Sequence, residues 1–198
     1  MADSAAINLT NHFLIAMPGL EDVSFSRSVV YLCEHNDRGA LGLIINKTSD
    51  IDLGTLFEKV DLPLRREELA RMPVYQGGPV QTERGFVLHD AMSPVVEGKD
   101  EAAYASTLVI PGGLEMTTSR DVLEALSNGA GPKRVLITLG YSAWGEGQLE
   151  SELAENSWLT VDADKALIFD TPVAERYDRA LGLLGLQAWM LSREAGHA

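Results

Sequence analysis

The stretch at 28–47, SVVYLCEHNDRGALGLIINK, reads as two apolar strands joined by a polar turn. The runs at 29–33 and 41–45 have strand length and are rich in β-branched, aromatic and aliphatic residues. Between them Asn36, Asp37, Arg38 and Gly39 supply turn chemistry: Asn and Asp bond their own backbone, and Gly accepts a positive φ. A β-hairpin closed at 36–39 follows. It holds Cys33, Glu34, His35, Asn36 and Asn46 at its ends, where chemistry could sit.

Around this hairpin the remaining elements are read from period and punctuation. A short apolar strand at 12–16 stops at Met17-Pro18-Gly19. Asp52 caps an amphipathic helix carrying Leu53, Leu56, Phe57 and Val60. A second short helix, mostly polar, is expected at 64–72 between two prolines. Strands are expected at 74–76, 85–90 and 107–110, with a surface loop at 91–105 that is a candidate lid or an elaboration. Thr118 and Asp121 match a capping box before a helix carrying Val122, Leu123 and Leu126, which Gly129 ends. The run at 134–139 is apolar on both faces, as in a central strand, and is expected to end at Gly140. A helix at 148–155, strands at 158–159 and 167–169, and a last helix capped by Thr171 complete the chain. Tight connections near 36–39 and 77–85 favour antiparallel pairs, so the fold class is α+β and the whole of 1–198 is one domain.

Bulk properties narrow the function. Sixteen Lys and Arg stand against 29 Asp and Glu, a formal net charge of −13, which repels nucleic acid and anionic membranes at long range. The basic doublets Arg65-Arg66 and Lys133-Arg134 are too short to form a nucleic-acid footprint. One cysteine permits no internal disulfide and no multi-cysteine zinc module, which suits a reducing compartment. The first residues lack a basic signal-peptide region and no run is long enough to span a membrane, so a cytoplasmic location is expected.

Cys33 and His35 are two apart on a strand, a spacing that puts both on one face, where they could form a thiolate with its base or half a metal site. The commoner arrangement is a buried, inert Cys beside a hydrogen-bonded His. HExxH and CxxC spacings are absent, and no metal site is expected. The segment 140–150, GYSAWGEGQLE, passes through a glycine-rich turn into a helix. It lacks a Walker Lys-Ser/Thr and GxGxxG, so no cofactor is expected, and a turn held by Tyr141 and Trp144 is the simpler reading. Ser142 is not in a GxSxG context and is a poor nucleophile candidate.

Taken together, NHFLIAMP at 11–18, YLCEHNDRGALGLIINK at 31–47, GGPV at 77–80, GFVLH at 85–89, SRDVLEAL at 119–126, LGYSAWGEGQLESELAENSWL at 139–159 and the closing GHA resemble the AlgH/YqgE family. The visible departure is Ser142-Ala143, where the smaller Ala-Gly is expected. The resemblance implies a cytosolic bacterial protein with a bifurcated, partly barrel-like, mainly antiparallel sheet surrounded by helices. It also implies a label of transcriptional regulator without agreed catalytic residues. That label and the acidic charge are reconciled by an indirect effect through an unknown protein or small-molecule partner, without direct contact to nucleic acid or membrane. The alternative is a small-molecule enzyme, of hydrolase or transferase type, with a polar pocket near the 34–46 hairpin. The expected recognition residues are Glu34, His35, Asn36 and Asn46, with Trp144 and Gln148 four apart on the 144–148 turn. Asn46 can join them only if the strand curves or another element bridges the gap.

Overall fold

The computed structural model describes residues 7–92 and 103–191. The hairpin forms as the sequence predicts, from β2 (Val29–Asn36) and β3 (Gly39–Ile44), with β1 (His12–Ala16) added antiparallel to β2. After β3 come β4 (Thr48–Asp52), α1 (Leu53–Lys59), β5 (Pro73–Gln76), β6 (Val80–Asp90), β7 (Thr107–Ile110), β8 (Leu114–Thr117) and α2 (Arg120–Ser127). The chain continues through β9 (Val135–Trp144), α3 (Gln148–Ala154), β10 (Trp158–Asp162), α4 (Lys165–Phe169) and α5 (Arg176–Gly182).

One sheet runs in the order β10-β1-β2-β3-β9-β6-β8-β7, with β5 and β4 branching from it at β9. The apolar run that opens β9 makes this possible, because a strand covered on both faces can sit at the centre of a sheet. One edge of β9 pairs antiparallel with β6. Its other edge pairs with β5, parallel, at Thr138 and Leu139, and then with β3 at Ser142 to Trp144. The sheet therefore forks where β3 and β5 diverge. Gly77 stands at that fork: its N–H donates to Leu139 O at 2.9 Å and its carbonyl accepts from Ile44 N at 2.9 Å.

Glycine is required at the crossing. Gly140 has φ +76°, and a Cβ there would lie 2.6 Å from Gly78 O and 3.0 Å from Val80 O. That left-handed residue lets β9 turn past the fork and carry on to Trp144 instead of ending. Facing it, β6 carries a wide irregularity, with Val80 opposite Tyr141 but Gly85 opposite Leu139.

The curled, mainly antiparallel sheet encloses one core, with Phe13, Ile15, Tyr31, Leu43, Phe86, Leu88 and Leu136 among its members. Helices α4 and α5 bring Leu167, Ile168, Tyr177, Ala180 and Leu181 to it. Tyr177 Oη donates to Ala16 O at 2.6 Å, and the buried Arg176 donates to Ile45 O and Thr171 O, which ties α5 to the hairpin. Two further clusters lie outside the curl. Leu14, Val30, Leu32, Ile44 and Trp144 pack with Leu149 of α3, while Leu53 and Phe57 of α1 and Val122 and Leu126 of α2 cover Val87, Val135 and Ile137. The α+β class and the bifurcated, half-barrel form match expectation.

Several local expectations are corrected. Only a 3₁₀ turn, Glu67–Leu69, forms within 64–72, because the carbonyls of Ala70 and Met72 accept from Gly54 N and Leu53 N at the start of α1. The connection at 77–85 does not join an antiparallel pair: β5 and β6 lie on opposite edges of β9. Residues 167–169 are helical, since the Asp164 side chain accepts from Ala166 N and caps α4. Ser119, not Thr118, is the N-cap residue of α2, and Thr118 N instead donates to Ser106 O. Thr171 bonds back to Ala166 O, and a 3₁₀ turn at Val173–Glu175 precedes α5. Most of the 91–105 loop and the closing GHA lie outside the described residues.

Candidate functional site

The register of the hairpin decides which polar residues share a face. Leu32 pairs with Gly42 and Glu34 with Leu41, so Cys33 is an extra residue in β2, a β-bulge. A bulge breaks the two-residue alternation. Cys33 therefore joins the enclosed core, while His35, opposite Ala40, turns to the outer face towards α3. The two do not form the pair their spacing suggests. Cys33 is 1% exposed, and burial raises its thiol well above the ordinary range, which keeps it protonated and inert.

His35 is buried and tied on both ring nitrogens. Nδ1 accepts from Leu9 N at 3.0 Å, which leaves the proton on Nε2 to donate to Glu150 Oε1 at 2.6 Å. The Glu150 carboxyl is held below its ordinary range by its own backbone N–H and by His35. This contact docks the first turn of α3 and the segment before β1 onto the hairpin.

The other expected residues separate. Glu34, Asn36 and Trp144 border one depression of about 370 Å³, together with Arg38, Gly39, Ala40 and Leu41. The pairing of Ala40 with Trp144 brings them together. Asn36 also serves the turn, its Oδ1 accepting from Arg38 N at 2.8 Å. Trp144 is 4% exposed and packs on Phe25 and Trp158. Gln148 stays at the 145–148 turn, its Oε1 accepting from Gly145 N. Asn46 lies at the opposite end of the hairpin, accepting from Val29 N and donating to Arg27 O. Ser142 is buried and donates to Gly77 O, at the fork.

A second depression, of about 420 Å³, continues from the first, since Glu34 and Leu41 line both. Phe86 and Met116, which line it, belong to the enclosed core, and Leu41, Leu108 and Tyr141 pack against that core, so the depression lies where the half-barrel opens, at its mouth. Phe86, Leu108, Met116 and Tyr141 give it an apolar wall, and the Phe86 and Tyr141 rings meet edge to face at 5.2 Å. Arg84 stands over Phe86, its guanidinium carbon 5.8 Å from the ring centre, and is steadied by Gln81 and Thr118. Two rim residues, Gln81 (φ +47°) and Ser106 (φ +48°), are held in the left-handed region. For a non-glycine residue this costs on the order of 1 kcal/mol, and such residues gather at ligand sites. A flat apolar body with an acceptor group for Arg84 fits this groove.

Sequence reasoning missed Arg84, Phe86, Met116 and Tyr141 as site residues. They lie on three separate stretches, β6, β8 and β9, and only the register of those strands aligns them. The polar run QTER at 81–84 carried no strand period, because it forms the irregular part of β6. Among the described residues no group of three or more His, Cys, Asp or Glu is gathered to hold a metal ion, and no helix is long and apolar enough to cross a membrane.

Comparison with known proteins supports the fold. The chain superimposes on the solution structure of the AlgH protein from Pseudomonas aeruginosa with a TM-score of 0.75, 45% identity and full coverage of both chains. A Corynebacterium diphtheriae crystal structure shares the fold at 20% identity and a TM-score of 0.66, over 87% of this chain and 85% of that one. UPF0301 proteins from Acidovorax sp. (strain JS42) and Variovorax paradoxus (strain S110) are 77% and 73% identical, each match covering 100% of this chain and 99% of the relative. The AlgH-like family model matches residues 13–189. The chain belongs to the AlgH-like family, UPF0301.

Proposed function

We propose that this protein is a non-catalytic regulatory protein of the cytosol that binds a small organic ligand in the groove at the barrel mouth. On this reading it influences transcription through a protein partner whose contact depends on that ligand. The observation that carries the proposal is the pairing, in one groove, of an aromatic wall with a guanidinium that has no carboxylate partner among the described residues. The net charge of −13 argues against direct duplex binding, which draws its affinity from clustered cations.

The test is an untargeted metabolite pull-down with the wild-type protein and Arg84→Ala in parallel. The expected result is a compound retained by the wild type and lost at least tenfold in the variant, with both proteins equally stable. Equal retention by the two would overturn the groove as the site, and a salt-sensitive submicromolar gel shift would overturn the indirect route. Glu34 borders both halves of the groove and places a carboxylate beside the ligand. A compound recovered chemically altered would therefore favour the second reading, a hydrolase or transferase in the same groove.

A further inference from the structure

The fork in the sheet leaves a second cavity, which meets the 81–84 irregularity through Thr82 where the groove uses Gln81 and Arg84. Where β3 and β5 diverge from β9, no strand fills the wedge between them. A cavity of about 410 Å³ occupies it, lined by Ile44, Lys47, Gln76, Gly78, Thr82 and Leu139, with Ser24 and Ser49 beside them. Its back wall is the glycine crossing. A Cβ at Gly77 would stand 2.3 Å from Gly140 O, and one at Gly78, which lines the cavity, would stand 2.2 Å from Tyr141 O, so backbone packs on backbone there.

Lys47 is the charged side chain lining this cavity. Its Nζ donates to Ser24 O at 2.7 Å, which fixes the ammonium in place and uses one of its three donors. Among the described residues Lys47 forms no ion pair, although acids outnumber bases 29 to 16 in the chain. Asp22, the acid whose charge acts on it, accepts through Oδ1 from the backbone N–H groups of Ser24 and Phe25. Burial pushes the Lys47 amine below its ordinary range, and Asp22 opposes this only in part. A half-buried ammonium with two donors to spare gains from an anion that reaches it.

We propose that the fork cavity binds a small organic acid, a carboxylate or a phosphate monoester. Lys47 holds the charged end, Thr82 and Gln76 offer hydrogen bonds at the rim, and Ile44 and Leu139 meet a short apolar body. This site is separate from the groove at the barrel mouth, and neither Arg84 nor Glu34 lines it.

The test follows isotope-labelled wild-type protein by NMR during titration with benzoate and with phenyl phosphate. Benzamide serves as the neutral control, and sodium chloride at matched ionic strength as the screening control. The expected result is saturable movement of the Lys47 ε-methylene resonance and the Gly78 amide with one or both acids, and binding at least tenfold weaker for benzamide. Lys47→Met should weaken the acids at least tenfold, with the rest of the spectrum retained. Equal binding of acid and benzamide, movement reproduced by salt alone, movement centred on Arg84, or Lys47→Met binding like the wild type would each overturn the proposal. Should Lys47→Met fail to fold, the wild-type ε-methylene decides, and its failure to move with both acids overturns the proposal equally.

Discussion

The two ends of one hairpin carry similar polar residues and use them differently. At the closed end Asn36 bonds Arg38 N two residues away, and its neighbour Glu34 is exposed at the groove. At the open end Asn46 bonds Val29 N across the hairpin and Arg27 O before it, and Lys47 reaches Ser24. At the closed end Glu34 and Asn36 are exposed and bonded locally, so they can be exchanged without disturbing distant elements, while His35 between them is the one side chain that reaches out, to Leu9 and Glu150. At the open end each side chain joins stretches far apart in sequence, and beside it the backbone of the fork packs on itself without room for a methyl group. Long-range bonds of this kind make a position structurally expensive, and they also build the fixed walls that a binding cavity needs.

The largest break in this contrast is expected at the fork itself. Gly140→Ala places a Cβ against two backbone carbonyls at a positive φ, and should cost about 4 kcal/mol or more, or prevent folding. A chemical-denaturation midpoint close to the wild type would show that the crossing is loose. A middle-sized difference should separate the two asparagines. Asn46→Ala strands Val29 N and Arg27 O and should cost about 1–3 kcal/mol, whereas Asn36→Ala in the exposed turn should stay near 0.5 kcal/mol. Equal costs in denaturant would erase the distinction between the two ends.

The smallest effect concerns pH at the closed end. The carboxyl of Glu150 titrates lower in the folded protein than in the unfolded chain. Its contribution is therefore complete above the ordinary glutamate value and fades as the pH falls through the lowered folded value. Because the side chain is 43% exposed, solvent screening keeps this contribution under about 1 kcal/mol. Glu150→Gln should accordingly lower stability above pH 6 by no more than that amount, leave it unchanged at strongly acid pH, and so flatten the acid limb of the stability curve slightly. A large loss at neutral pH would mean that the His35 contact holds α3 more firmly than its exposure suggests.

Much of the fold is legible in local chemistry. The strand at 12–16, the hairpin, the Asp52 cap and the helix at 148 are each encoded within a few residues, by apolar period, turn residues or a capping side chain. The misreadings share a physical cause. The segment 64–72 lost its helix because its carbonyls are used by α1, and 167–169 became a helix through a cap three residues before its apolar run. The candidate site was legible in part: Glu34, Asn36 and Trp144 do border one depression, but Asn46 does not reach it and Arg84 was invisible.

By itself the sequence determined the class of the fold, its acidic surface, the hairpin at its centre and the family resemblance, because these depend on composition, short-range periodicity and recognisable strings. Tertiary structure alone decided that Cys33 and His35 face opposite ways, that β9 carries strands on both edges, and that Lys47 sits in a fork. A single bulge reverses the facing of every later residue on its strand, and the pairing of distant strands is set by the packing of the whole sheet. Neither leaves a mark within the few residues on which local reading depends.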